Sequence, residues 1–397
     1  MKKLLVLSAL AAVSTAFVAC SSNDDLVQQA PEVPEETVVG TPFTISTGAD
    51  TRATLYNANA WDKSNSTTWV RDLKLYGKQG SNAPWMNSVI FHRAAYDADW
   101  VADRSAAEAT VNPADLTWPV ADKTTPTSFY AITDGAVGSG TSAAIAGVSE
   151  WMTTPGSFVY EFPTTTSDIL WYKDNAYDFE NNVYNSYTYV TNANLTDLMV
   201  ASSETVETTD GVLSLGFTHA LAGLTIKAMF VSNAENQNSA SATVKSVMVC
   251  GLDGAGTYTF GASTPWASNT KVNYYYELPT PLELPAEAET GTHTPQVIVP
   301  AGTWLAIPQT VTAWDEKLPG TDTYPTEGAY IAVRIHDSVG DLDYILCFPL
   351  ATTLNAAKNR VITINIADGR DVFGGEDTNE GNNFAGHFYT PAQSIVI

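Results

Sequence analysis

Three kinds of residue in this sequence could carry chemistry: a cysteine near the N-terminus, a small group of carboxylates, and five scattered histidines. Asp97, Asp99 and Asp103 suggest a glycosidase pair or a cation site, but carboxylates of this kind are diagnostic only through their separation in space. The stretch from Asp377 to Gly381 resembles the start of a calcium loop, yet Asn382 stands where the sharp turn needs glycine. Neither acidic group therefore predicts a site.

No motif for nucleophilic or metal catalysis accompanies these residues. The sequence contains no G-x-S-x-G elbow, no H-E-x-x-H zinc helix and no phosphate-binding glycine loop. His219 follows Thr218 in a predicted strand, where a packed histidine is commoner than a catalytic one, and the same interpretation applies to the other four, His92, His293, His336 and His387. We therefore predict no catalytic residue, no metal and no cofactor. A secreted hydrolase remains an alternative only through the carboxylates.

Cys20 stands where a lipid would be attached. Two lysines precede an apolar run from Leu4 to Val13, which is too short to span a bilayer permanently. Ala19 suits the narrow pocket of lipoprotein signal peptidase, so residues 1–19 are predicted to be a lipoprotein signal peptide. Acyl chains on Cys20 would hold the protein at a membrane, each buried methylene contributing about 0.8 kcal/mol. An ordinary secretory signal with a chance cysteine is the alternative.

Residues 20–37 are predicted to be a disordered tether, because they are polar, acidic and proline-containing. The acidic residues directly after Cys20 also resemble the signal that sends some lipoproteins to the outer face of the outer membrane. The whole chain carries a net charge of −24, which argues against nucleic acid as a partner.

The rest of the chain has the pattern of an all-β protein. Thr, Val, Tyr and Trp are frequent, and Gly and Pro interrupt the sequence every ten residues or so. Leu224, Ile226, Ala228 and Phe230 alternate with other residues, as a sheet with one buried face requires.

The chain has enough hydrophobic material for two domains of ordinary size. We predict one domain over residues 38–270, with an insertion at about 137–194, and a second over residues 271–397. Cys250 and Cys347 leave one disulfide possible.

Several short motifs occur together in an order that resembles the fimbrillin-like family of type V pilins. They are Thr51-Arg52-Ala53, Phe129-Tyr130-Ala131, Asp197-Leu198-Met199 with Ala201, Leu215 and Phe217 followed by His219 to Leu221, Ile307-Pro308-Gln309, and Lys358 to Arg360 leading into Ile362, Ile364 and Ile366. The chain departs from the family in its short tether before Arg52 and its long insertion.

The resemblance implies two tandem transthyretin-like β-sandwich domains and a fimbrial subunit that joins other pilin subunits by strand exchange. It also implies a trypsin-like protease that cuts between Arg52 and Ala53. Such a cut would remove both the lipid anchor and a lone strand with Phe43 and Ile45 on one face, leaving an apolar groove with unpaired backbone groups. The mature subunit would then belong to a cell-surface fimbrium whose receptor is unknown. The alternative for Arg52 is an exposed loop residue.

The C-terminal residues 387–397 are the candidate donor strand. They follow a flexible acidic stretch, as expected of a strand that enters a neighbour, and their apolar members are Phe388, Tyr389, Ile395, Val396 and Ile397. Burying about four such side chains would contribute roughly 6 to 12 kcal/mol before ordering costs. The alternative is an edge strand of the chain's own second domain, and Pro391 fits either position.

The insertion contains Trp151, Trp171 and Tyr172, which could form an aromatic platform for sugars. A surface glycan-binding lipoprotein is therefore the alternative function. Because β-sandwiches routinely bury tryptophan, most of the aromatic residues are expected in the core.

Overall fold

The computed structural model of the chain confirms the all-β prediction. The described residues are 43–49, 72–93, 98–102, 117–118, 124–133, 145, 147–169, 185–190, 197–205, 211–232, 241–288, 294–299, 304–314, 328–337, 342–367, 375–377, 382–384 and 387–388. All of them belong to one compact unit, Gly40–Ile397. Every regular element in these ranges is a strand, and no helix there is long and apolar enough to cross a membrane.

The strands of the first half, in chain order, are β1 Thr44–Ala49, β2 Asp72–Gln79, β3 Met86–His92, β4 Val101–Ala102, β5 Thr127–Thr133, β6 Val148–Ser149, β7 Ser157–Glu161, β8 Thr164–Ile169, β9 Asn185–Val190, β10 Met199–Thr205, β11 Val212–His219 and β12 Ala222–Ser232. Those of the second half are β13 Ser241–Thr259, β14 Trp266–Ala288, β15 Gln296–Val297, β16 Trp304–Ala306, β17 Gln309–Val311, β18 Tyr330–Asp337, β19 Leu342–Pro349, β20 Thr352–Leu354, β21 Asn359–Ala367, β22 Gly375–Asp377, β23 Asn382–Phe384 and β24 His387–Phe388.

The smaller of the two main sheets has the strand order β1-β11-β10-β5-β2-β3-β4 among the described residues. The larger sheet has the central path β23-β22-β21-β12-β14-β13-β18-β19-β24, and β17 pairs with β20 separately. β12 shows why these segments are strands: Leu224, Ile226 and Ala228 are all fully buried, so the alternation predicted from the sequence marks one face against the core.

The predicted insertion separates β5 from β10 in sequence, yet these two strands are neighbours in the smaller sheet. Their antiparallel register runs from Thr127↔Thr205 to Thr133↔Met199. Of the strands between them, β7 pairs with β13 and β9 pairs with β14 in the larger sheet. The insertion therefore leaves one sheet, adds strands to the other and returns.

The predicted domain boundary near residue 270 falls within a long hairpin. β13 and β14 run for 19 and 23 residues, and Thr270 pairs with Ala255 across them. The chain instead passes from the smaller sheet to the larger one between β11 and β12, near Ala220 and Leu221. The division into two domains stays a prediction, and the change of sheet lies near residue 220.

Two apolar cores correspond to the two sheets. The core of the smaller sheet contains Phe43, Phe129 and Phe217 among its buried residues. The larger core contains the centre of β12, β13, β18 and β21, and it also takes in Ile132 and Val200 from the smaller sheet. The two sheets thus share buried surface, which couples the stability of one to the other.

Cys250 and Cys347 do not lie within disulfide distance. Cys250 is opposite Tyr330, and Cys347 is opposite Ala332, on the two sides of β18. Two strand spacings are about 9.5 Å, whereas the Cα atoms of a disulfide are about 4.4–6.8 Å apart. The disulfide that the sequence left possible would require the strands to move.

Candidate functional site

The first strand lies at the edge of the smaller sheet and pairs with β11 alone among the described strands. The pairing is parallel and runs without interruption from Thr44↔Val212 to Ala49↔Phe217. Residues at alternate positions face inward, so that Phe43 and Ile45 are only 7% and 9% exposed. An edge strand can leave a sheet without breaking a ladder on its other side.

Phe43 fills an aromatic pocket. Its ring centroid lies 5.1 Å from that of Trp85, 5.4 Å from Trp118, 5.8 Å from Phe129 and 6.2 Å from Phe91. Most of these contacts are edge-on or tilted, as aromatic pairs prefer. Because Phe129 is on β5 and Phe91 on β3, the sheet must curl until β1 faces strands near its opposite end.

Two hydrogen bonds join this strand to neighbouring residues, and a third is accepted by the same carbonyl oxygen that the strand contacts. The backbone N–H of Thr44 and the indole N–H of Trp118 both donate to the carbonyl oxygen of Gly211, at 3.0 and 2.9 Å. The indole N–H of Trp100 donates to the hydroxyl of Thr47 at 3.2 Å. Gly211 has a positive φ of 72°, which glycine adopts without strain. Its carbonyl thus joins the first strand, β11 and the aromatic pocket.

Removal of β1 would leave a vacancy of defined chemistry. It would expose the pocket of Phe43, the apolar surface under Ile45, and the edge of β11 that now pairs with β1. Burying a side chain such as Phe or Ile contributes about 1.5–3 kcal/mol, and unpaired backbone groups away from water add a further cost. We call this vacancy the β1 groove. Its chemistry fits an extended chain with an aromatic and an aliphatic side chain at alternate positions.

At the other end of the chain, the ladder among the described residues is much shorter. Phe388 and His387, which form β24, pair antiparallel with Leu346 and Cys347 of β19. β24 is the last strand at that end of the larger sheet. The described part of the predicted donor strand therefore lies at a sheet edge and not in a sheet centre. Tyr389, Ile395, Val396 and Ile397 lie outside the described residues.

Several predicted site residues also fall outside the described residues: Cys20, Arg52 and Ala53, and with them the signal peptide, the tether and the cleavage position. Lipid attachment and proteolysis therefore stay predictions. Sequence reasoning missed Trp100, Trp118 and Gly211 as members of the groove, because nothing local in the sequence links them to the first strand.

The rival sites have little support in the described part of the chain. Asp99 is exposed, while Asp97 and Asp103 lie outside the described residues, as does the middle of the calcium-like stretch. Within the described ranges, no group of three or more His, Cys, Asp or Glu side chains could hold a metal ion. His219 is buried, with its Nδ1 2.8 Å from Oδ2 of Asp197, so it packs in the fold as the sequence predicted.

The aromatic residues near the insertion are packed against one another. Trp151 is half-buried, with its ring centroid 6.0 Å from that of Phe158 and 6.3 Å from that of Phe260. Phe260 in turn contacts Tyr130 of the smaller sheet at 5.0 Å. Trp151 therefore belongs to a cluster that ties the insertion to both sheets. Trp171 and Tyr172 lie outside the described residues, so the sugar platform stays a prediction.

Comparison with solved structures returns fimbrial proteins of low identity. A fimbrial protein from Bacteroides vulgatus is 12% identical, covers 88% of this chain and 100% of its own, and has a TM-score of 0.46. A fimbrial assembly protein from Parabacteroides distasonis is 8% identical, with coverage of 86% and 97% and a TM-score of 0.34. The fimbrial anchor protein from Porphyromonas gingivalis is 10% identical, with coverage of 87% and 100% and a TM-score of 0.32.

The described chain is all-β, and its first strand lies at a sheet edge with Phe43 and Ile45 buried in the core of the smaller sheet. No curated protein matches the sequence. The fimbrillin-like family model matches residues 162–379, more than half of the chain, and the chain therefore belongs to the fimbrillin-like family. This confirms the resemblance seen in the sequence, and it assigns the chain to a structural family and not to a family of enzymes.

Proposed function

We propose that this protein is a structural subunit of a cell-surface fimbrium that supports adhesion. It is exported as a lipoprotein on Cys20, reaches the outer membrane, and is cut after Arg52. The cut releases the tether together with β1, and the β1 groove then receives the C-terminal strand of another subunit. Membership of the fimbrillin-like family supports the fimbrial role.

The observation that carries the proposal is the place of Phe43 in the fold. It precedes a strand at the sheet edge, yet its side chain is 7% exposed and touches four aromatic rings. An N-terminal segment that served only as a linker to a membrane anchor would gain nothing from such burial. A segment that occupies the place of a later partner strand must be buried in this way, because the groove has to stay filled until assembly.

The C-terminal strand is the proposed donor. The described ladder of β24 is only two residue pairs long, so releasing His387 and Phe388 from β19 breaks few main-chain hydrogen bonds. The aliphatic residues Ile395, Val396 and Ile397 then supply side chains for a groove that holds Ile45 in the unprocessed chain. The partners are thus other fimbrial subunits, and the processing enzyme is a trypsin-like protease.

The decisive experiment replaces Arg52 with alanine in the full precursor. We expect Arg52→Ala to remain a lipidated monomer at the membrane, because the tether and β1 stay attached. Filaments are counted by electron microscopy, and the mature N-terminus is sequenced. Arg71→Ala is the matched control, since it removes the next arginine along the chain and should still yield filaments that begin at Ala53. Filaments from Arg52→Ala would refute the proposed processing.

The glycan-binding alternative predicts a different result for the same proteins. A surface glycan receptor would keep Cys20 attached and would be retarded on polysaccharide gels in affinity electrophoresis. We expect no such retardation, since Trp151, the described member of the predicted platform, is packed within an aromatic cluster.

A further inference from the structure

The ladder of β11 is divided between two partners. Residues 212–217 of this strand are in register with β1, whereas Thr218 and His219 are in register with Val200 and Met199 of β10. If β1 leaves, the described main-chain pairing that remains is the short ladder at the C-terminal end of β11. The strand that must receive a donor is then held mainly from that end.

That end of β11 is pinned by a compact set of contacts that we call the corner, formed by Asp197, Leu198, His219 and Ala220. Nδ1 of His219 lies 2.8 Å from Oδ2 of Asp197, with the two side chains 9% and 3% exposed. The backbone N–H of Ala220 donates to the carbonyl of Leu198 at 2.8 Å. Trp266 of the larger sheet donates its indole N–H to the carbonyl of Ala220, also at 2.8 Å.

His219 occupies a position where the strand pattern calls for an apolar residue. It follows Leu213, Leu215 and Phe217 at every second position on the inward face, and these three are at most 1% exposed. Burying a polar pair is costly, and apolar replacement of a buried ion pair is often neutral or stabilising. Stability alone therefore does not explain the pair.

The surroundings of Asp197 support the same conclusion. Among the described residues, neither Oδ1 of Asp197 nor Nδ1 of His219 has a hydrogen-bond partner, so the 2.8 Å approach of Nδ1 to Oδ2 is a close polar contact without hydrogen-bond geometry. Burial raises the pKa of the nearby Tyr160 hydroxyl well above its ordinary value, and the charge of Asp197 adds to that rise. The carboxylate is thus buried beside the imidazole of His219, and a buried polar pair that is not fully hydrogen-bonded is costly, so stability alone does not account for it.

We propose that His219 and Asp197 are positioning residues that hold β11 in place as the acceptor strand after β1 has left. The pair fixes the C-terminal end of β11 to the start of β10, so that an incoming strand meets β11 in a single register. The proposal rests on the proposed function for its biological meaning. The mechanical claim, that the corner holds β11 when β1 does not, can be tested in the uncut chain.

The test uses the full chain with a weakened first strand. Ile45→Ala loosens β1 without any proteolysis, and Ile45→Val takes its place if the alanine variant unfolds. Hydrogen exchange measured by mass spectrometry then reports the protection of peptides covering 199–205 and 211–220. Three corner variants are compared in the original and weakened chains: His219→Asn, His219→Leu, and His219→Leu combined with Asp197→Leu.

The variants separate positioning from packing. Asparagine keeps a polar nitrogen near Asp197, as histidine does, while leucine keeps the bulk but has no polar atom in its side chain. The double leucine variant also removes the buried carboxylate, so the original chain should still fold. In the weakened chain, we expect hydrogen exchange of residues 211–220 to be about tenfold faster in the double leucine variant than in the parent. In His219→Asn the rate should stay within about twofold of the parent. In the original chain both should stay within about twofold.

Two results would overturn the proposal. The first is hydrogen-exchange protection of β11 in the weakened chain that is the same with the double leucine variant as with His219 and Asp197 present. The other is an equal loss of protection in the original and weakened chains, which would make the corner an ordinary stabilising contact. A separate assay, in which the chain cut after Arg52 is offered a peptide of residues 387–397, tests the proposed function. If the cut parent chain fails to bind that peptide, strand exchange is refuted. The hydrogen-exchange comparison of the uncut chains is unaffected by that result.

Discussion

The two terminal strands are attached to the fold in very different ways. β1 has a six-residue parallel ladder with β11, and Ile45 of this strand and Phe43 directly before it lie in the core of the smaller sheet. β24 has a described ladder of two residue pairs with β19 at the edge of the larger sheet. Loss of the first strand would open the β1 groove, whereas the described pairing of β24 with β19 is only two residue pairs long. In the proposed assembly, the acceptor and donor roles would thus be divided between the two ends of the chain.

The largest expected effect on stability comes from emptying the pocket of Phe43. We expect Phe43→Ala to lower the free energy of unfolding of the uncut chain by about 3–5 kcal/mol, as truncation of a buried phenylalanine usually does. Chemical denaturation followed by tryptophan fluorescence measures the loss, since Trp85 and Trp118 line the pocket.

The matched control for that prediction is Val101→Ala. Val101 is 55% exposed and lies in the same sheet, so its truncation should change the free energy of unfolding by about 0.5 kcal/mol or less. Equal losses for the two variants would mean that β1 is not part of the core.

A smaller effect on stability is expected at the other end of the chain. Removing residues 387–397 should cost the uncut chain about 1 kcal/mol or less, because the described ladder there is short and lies at a sheet edge. The same deletion should abolish filaments in electron micrographs. If the free energy of unfolding instead falls by about 3 kcal/mol or more, the C-terminal strand completes its own sheet and is not a donor.

The smallest expected effect on stability concerns the pairing of β1 with β11. Gly216 lies directly opposite Gly48, and a Cβ at Gly216 would meet nothing within 4 Å. Gly216→Thr should therefore stabilise the uncut chain by about 0.5–1 kcal/mol, because threonine suits an open strand position better than glycine. Thermal unfolding measures the gain.

Gly211→Ala is the contrasting variant for the same edge. Its backbone has a positive φ, so a side chain there is strained and the melting temperature should fall. A fall for Gly216→Thr as well would show that the ladder tolerates no added side chain.

The sequence alone determined which residues face inward and that the chain is built from strands. Alternation at every second position identified the buried faces of β1 and β12, because a strand exposes successive side chains to opposite sides. Motif order was enough to identify the fimbrillin-like family. The sequence also predicted that His219 is a packed histidine in a strand, although its partner could not be read from the sequence.

Only the tertiary structure decided how the strands are combined. A two-residue period fixes the buried face but not the neighbour, its direction or the register. The parallel pairing of β1 with β11, the contact of His219 with Asp197, and the passage of the insertion into the larger sheet all depend on long-range packing. The β13–β14 hairpin across residue 270 has the same cause, since turn-rich sequence marks the end of a strand equally well within a sheet and between sheets.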